Sequence, residues 1–165
     1  MMQDYSQFLE LIQPQPGFKV LDVTAHADAL TEAVVSHLKP FDQHRLALAL
    51  YPGAHQSFEV SDALKIQKVP NYNLPFRALP RDNDIVIIRD VFHKHTQAER
   101  ILKSIYTTLA NTGDIIIVTK IEEADVQGQL DILERLEFRS GNSIDILDGY
   151  TLVMAKKMHM WGNGL

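Results

Sequence analysis

Cysteine is absent from this 165-residue chain, which removes disulfides, thiolate metal sites and a thiol nucleophile together. Basic charge is also scarce. Sixteen Lys and Arg stand against 21 Asp and Glu, and the net charge of −5 favours solubility while working against a broad electrostatic grip on phosphate backbones. No apolar run approaches the roughly 18 residues that span a bilayer, and the first residues, with Asp4 and Glu10, have no basic segment leading an apolar core. We therefore expect a soluble, cytoplasmic protein with no membrane segment and no strong nucleic-acid signal.

What is present is ordinary globular composition, 45% apolar and 22% charged, at a length that suits one domain over residues 1–165. Tyr5, Phe8, Leu9 and Ile12 recur at helical spacing, predicting an N-terminal helix within 1–15 that Pro14 and Pro16 stop. FKVLDV and RLALALY read as buried strands around a helix that begins at Asp28 and ends at Pro40. The stretch from Pro52 to Pro80 reads mostly as loop, with a short helix near 57–66. DIVII is a third strand. A helix from Thr96 follows, with Glu99 completing a capping box and Asn111 and Gly113 as its stop. DIIIVTK is a fourth strand, a last helix covers about 123–136, and Asp148-Gly149 turns FRSGNSIDIL into YTLVMAKK as an antiparallel hairpin. The fold class expected is α/β: a three-layer sandwich with a mostly parallel, Rossmann-like sheet that ends in that hairpin.

The order of these elements resembles the class I S-adenosylmethionine-dependent methyltransferase fold, and local sequence carries the resemblance over nearly the whole chain after residue 16. KVLDV is similar to the family's first motif strand. NLPF with DNDIVII is similar to its Leu-Pro-Phe stretch and following strand. RDVFHKH with ILKSIYTTLANTGDIIIV is similar to its post-strand His segment, helix and turn into the fifth strand. The resemblance implies S-adenosylmethionine as cofactor, with Asp22, Thr24, His26, Asp28, Tyr51 and Asn73 at the cofactor positions. It also implies His93 as general base, a role the family's small-molecule O-methyltransferases give to the matching histidine, with Asp90 beside it.

Two departures work against that cofactor. Where the family's loop reads Gly-x-Gly-x-Gly, this chain has Thr24, Ala25, His26, Ala27 and Asp28, and side chains stand where backbone must approach the ligand. Asp28 also suits a plain helix N-cap. At the end of the second strand, Leu50, Tyr51, Pro52 and Gly53 replace the acidic residue that receives the ribose hydroxyls. The expectation is a methyltransferase-like protein with a degenerate cofactor loop, weakly active or inactive. The alternative is a non-catalytic scaffold or interaction module on the same fold. The base reading of His93 stands beside a solvated-connection reading of His93 and His95, and beside metal ligation by His26, Asp90, His93 and His95. His37, His44 and His55 carry no assigned role. The tail, 157–165, holds the single Trp and could meet a protein partner or fold back on the sheet; for the chain as a whole an unknown protein partner or a homo-oligomer is open.

Overall fold

The computed structural model describes residues 4–158. Among these residues, α-helices and strands follow one another as α1 (Ser6–Leu9), β1 (Lys19–Thr24), α2 (Ala29–Leu38), β2 (Arg45–Leu50), β3 (Leu64–Lys68), β4 (Asn83–Arg89), α3 (Ala98–Thr108), β5 (Leu109–Lys120), α4 (Val126–Arg135), β6 (Phe138–Leu147) and β7 (Tyr150–Lys157), with short 3-10 turns at Phe92–Lys94 and Ile121–Glu123. The strands form one sheet in the order β3-β2-β1-β4-β5-β7-β6. β1 to β5 pair in parallel, whereas β7 is antiparallel to both neighbours. Asp148-Gly149 makes the hairpin turn, and Gly149 supplies its positive φ of 80°.

Side-chain alternation sorts the core into two layers. Val20, Leu46, Leu48, Ile85, Ile87, Ile116 and Val118 face α1 and α2, joining Phe8, Leu30, Val34 and Leu38. Leu21, Val23, Val86, Ile88, Ile115 and Ile117 face α3 and α4, joining Ile101, Leu102, Ile105 and Leu133. The central strands are covered on both faces, which is why DIVII and DIIIV read as unbroken apolar runs. Each fully buried Leu or Ile contributes on the order of 1.5–3 kcal/mol of burial free energy.

Several boundaries differ from the sequence reading. The N-terminal helix is a single turn, Ser6–Leu9, and the chain continues to Ile12 by loop hydrogen bonds. The segment read as loop and short helix contains β3, whose residues LKIQK alternate too weakly to signal a strand; pairing with β2 stabilises it. α3 starts at Ala98 with no side-chain cap, because the Thr96 hydroxyl is turned to Asn73 Oδ1 at 2.6 Å instead of to the helix amides. It ends at Thr108, so Asn111 and Gly113 belong to β5. α4 runs from Val126 and is capped by Asp125. Trp161 and the rest of the tail beyond Met158 lie outside the described residues.

Candidate functional site

In the order 3-2-1-4-5 the strand order, though not the strand direction, reverses between β1 and β4, and open α/β sheets bind ligands beyond the carboxyl ends of the strands there. The loop leaving β1 is tight without glycine. The Thr24 hydroxyl accepts from the His26 N–H at 2.9 Å, and Asp28 then caps α2. Asp28 Oδ1 accepts from the Leu30 N–H at 3.1 Å, while the Thr31 hydroxyl accepts from the Asp28 N–H at 3.2 Å. The amide donors that a ligand would meet at a helix N-terminus are thus partly spent within the chain.

Arg89, the last residue of β4, reaches across to this loop and is 4% exposed. Its guanidinium donates to the His26 carbonyl and to Thr24 Oγ1 (3.4 Å), and pairs with Asp28 Oδ1 at 3.0 Å. Asp22, on β1, is buried in the same region. Desolvation pushes its carboxyl up to about 6 against the pull of Arg89; Asp28 adds to the rise and the Thr31 hydroxyl opposes it.

The β1 loop is also zipped to the segment after β2. Tyr51 N–H donates to the Thr24 carbonyl at 3.0 Å and Gln56 N–H to the Ala27 carbonyl at 2.7 Å. His55 bridges the two, its Nδ1 accepting from the Ala27 N–H (3.1 Å) and its Nε2 donating to the Tyr51 carbonyl (2.7 Å). At Gly53 the backbones touch, since a Cβ placed there would lie 1.9 Å from the Ala25 carbonyl oxygen. Gly53→Ala is therefore expected to force the two loops apart and lower stability by about 1–3 kcal/mol. A urea midpoint equal to that of the parent would disprove the contact.

Beyond β2, Tyr51 stacks on Tyr72 with ring centroids 5.4 Å apart and donates to the Leu74 carbonyl at 2.5 Å. Tyr72 in turn donates to the Pro52 carbonyl at 2.5 Å. Asn73 is held by Thr96 through its side-chain oxygen. A cleft of about 550 Å³ remains beside these residues, at the ends of β2 and β3, with Leu50, Phe58, Ile66 and Lys68 in its wall and no carboxylate among the residues that line it.

Asp90 follows β4 with a left-handed φ of 57° and is buried. Its Oδ2 lies 3.8 Å from His26 Nε2 and accepts from the Tyr150 hydroxyl at 3.4 Å, while Oδ1 has no hydrogen-bond donor among the described residues. Desolvation lowers the pKa of His26 below the usual histidine range; Asp90 opposes that, and Arg89, Lys94 and Lys120 add to it. Burial also raises the Tyr150 phenol, with Asp90 contributing in the same direction.

These contacts sort the sequence candidates. Asp22, Thr24, His26 and Asp28 do meet around one loop, with Arg89 among them. Asp90 is paired with His26 and Tyr150, and His93 with Glu123, so the expected Asp90–His93 arrangement gives way to two separate pairs. His95 is no solvated residue: it is 6% exposed, donates to the Leu74 carbonyl and accepts from the Gln97 N–H. Among the described residues, no three His, Asp or Glu side chains converge as a metal site. Arg89, His55 and Gly53 were not among the candidates. A lone arginine ending the apolar run DIVII was a readable signal for the first; the other two depend on loop geometry that has no local signature.

No helix of the described residues is long and apolar enough to cross a membrane. No protein-family model matches the sequence, and no curated protein matches it. Solved structures do match. A S-adenosylmethionine-dependent methyltransferase from Aquifex aeolicus superposes with a TM-score of 0.72 at 14% identity, over 94% of this chain and 90% of that one. One from Mesorhizobium loti gives 0.67 at 10% identity, over 92% and 97%. Phosphoethanolamine N-methyltransferase 2 of Haemonchus contortus, in complex with S-adenosyl-L-methionine, gives 0.70 at 8% identity, over 93% of this chain but 52% of that one. This chain therefore has the class I S-adenosylmethionine-dependent methyltransferase-like fold.

Proposed function

We propose that this chain is a non-catalytic protein on the methyltransferase-like fold, a scaffold for protein contacts whose own loops take the cofactor's place. The observation that carries the reading is the zip between the β1 loop and the segment after β2: Tyr51 and Gln56 N–H to the Thr24 and Ala27 carbonyls, His55 bridging, and Gly53 against Ala25. An adenosyl ligand seated between those loops would have to break these bonds first. Each contributes about 0.5–1.5 kcal/mol net, so opening three of them weakens binding by roughly ten- to a thousand-fold before any contact to ligand forms. The ribose would then meet Leu50, Tyr51, Pro52 and Gly53 without a carboxylate to accept its hydroxyl protons.

Isothermal titration with S-adenosylmethionine and S-adenosylhomocysteine tests this directly. No saturable heat and no rise in melting temperature at millimolar ligand are expected, because a ligand that does not bind the native state does not stabilise it. Saturable binding in the micromolar range would overturn the reading. It would favour a second one, a weakly active methyltransferase with His93 as base. In favour of that second reading is Glu123, which lies against the His93 imidazole and would orient it.

A further inference from the structure

The two helices on one face of the sheet carry opposite charge on their outer flanks. Beside α3, a groove of about 550 Å³ is lined by Phe76, Arg77, Arg100, Lys103, Ser104 and Thr107. Arg77, Arg100 and Lys103 are exposed, as is nearby Arg81, whose backbone N–H bonds to the Thr107 carbonyl. The only ion pair any of the four makes among the described residues is Lys103 with Glu99, at 3.8 Å. Exposed Leu79, 68% accessible, lies two residues from both Arg77 and Arg81. This is a concentrated positive strip on a chain of net charge −5.

The flank of α4 is its complement. Glu122, Glu123, Asp125, Asp131, Glu134 and Glu137 are all exposed, and a groove of about 630 Å³ between α4 and β6 is walled by Asp131 and Glu134. Arg139 lines the same groove, and Arg135 lies on α4 outside it. Ile121, 58% exposed, stands at the head of this strip as Leu79 stands within the other. α3 and α4 share one layer over the sheet, because Ile101, Leu102, Ile105 and Leu133 enter the same core.

We infer that this face binds a second copy of the chain. A two-fold axis lying in the interface, along the helix direction, places the α3 strip of each copy on the α4 strip of the other, so that one contact is made twice. Charges so arranged fix register and steer encounter, while Leu79 and Ile121 supply apolar contact at the two ends. The inference needs only the outer helix face and stands whether or not the cofactor cleft is closed.

Sedimentation and light scattering on the full chain test it. A reversible dimer is expected at low ionic strength, weakening as salt screens the strips. Arg100→Glu/Lys103→Glu and Asp131→Lys/Glu134→Lys should each weaken self-association by roughly a hundred-fold, since each sets like charges face to face. All four positions are exposed, so circular dichroism and melting should match the parent. Mixing the two variants should restore a dimer, as should all four substitutions in one chain. A parent that stays monomeric at millimolar concentration overturns the inference, and so does a dimer indifferent to both reversals. A monomeric parent that binds polyglutamate through Arg100 and Lys103 overturns it too, assigning the basic groove to an acidic partner instead.

Discussion

Arg89→Met is expected to lower the unfolding free energy by about 3–5 kcal/mol, the usual loss when one member of a buried charged network is removed. The guanidinium is nearly inaccessible and serves five neighbours: the His26 carbonyl, Thr24 Oγ1, Thr31 Oγ1, the Asp28 carboxylate and, through space, buried Asp22. Methionine matches much of its length but supplies no donor. The His26 carbonyl then loses its partner, and the Asp22 carboxylate loses the cation that offsets its desolvation. Asp28 suffers less, being half exposed and still bonded to the Leu30 N–H. Arg89→Lys keeps the charge but loses the planar fork, so it should fall between the parent and Arg89→Met. Urea denaturation reads all three, and a midpoint for Arg89→Met within error of the parent would refute the network. Repeating the substitution in an Asp22→Asn background should shrink the loss, because part of it is the unpaired carboxylate itself.

The same network marks where sequence reading succeeds and where it stops. Buried strands announce themselves by continuous apolar runs, and Asp28 by its place before an apolar helix, so β1, β2, β4, β5, the hairpin and the α2 cap were all legible. β3 was not, because an edge strand reading Leu-Lys-Ile-Gln-Lys is selected by its partner rather than by its own pattern. The loss of glycine from the β1 loop was visible, but not what replaced it. Thr24 closes the turn with its own hydroxyl, and His55 and Gln56, nearly thirty residues on, return to bind Ala27. Such contacts join loops distant in the chain, and neither hydrophobic period nor helix-capping pattern encodes them. His93 and Asp90 show the complementary failure: four residues span both, yet they follow the end of β4 at Arg89 and the backbone turns left-handed at Asp90, which sends the two side chains to different partners.

Asp22 gives the second large effect, and its sign is opposite to that of an ordinary paired carboxylate. Its folded pKa is raised to about 6 from 3.8, chiefly by burial, so the native chain holds this proton more tightly than the unfolded chain does. Its contribution to stability is fully present below the unfolded pKa and is lost as pH rises through 6. Taking the difference as roughly two pH units, the loss approaches about 3 kcal/mol. His26 and Asp82 have lowered pKa values and act the other way, losing stability as pH falls, which blunts the overall profile. The parent should therefore be compared with Asp22→Asn across the acidic and neutral range. The difference between their urea midpoints is expected to grow in favour of Asp22→Asn as pH rises from about 4 to 7, and a pH-independent difference would refute the buried, perturbed carboxylate. The two predictions then constrain each other. With Asp22 protonated, near pH 5, Arg89 has less charge to balance, so Arg89→Met should cost less there than at mildly alkaline pH, where the carboxylate is ionised and the guanidinium offsets part of its desolvation.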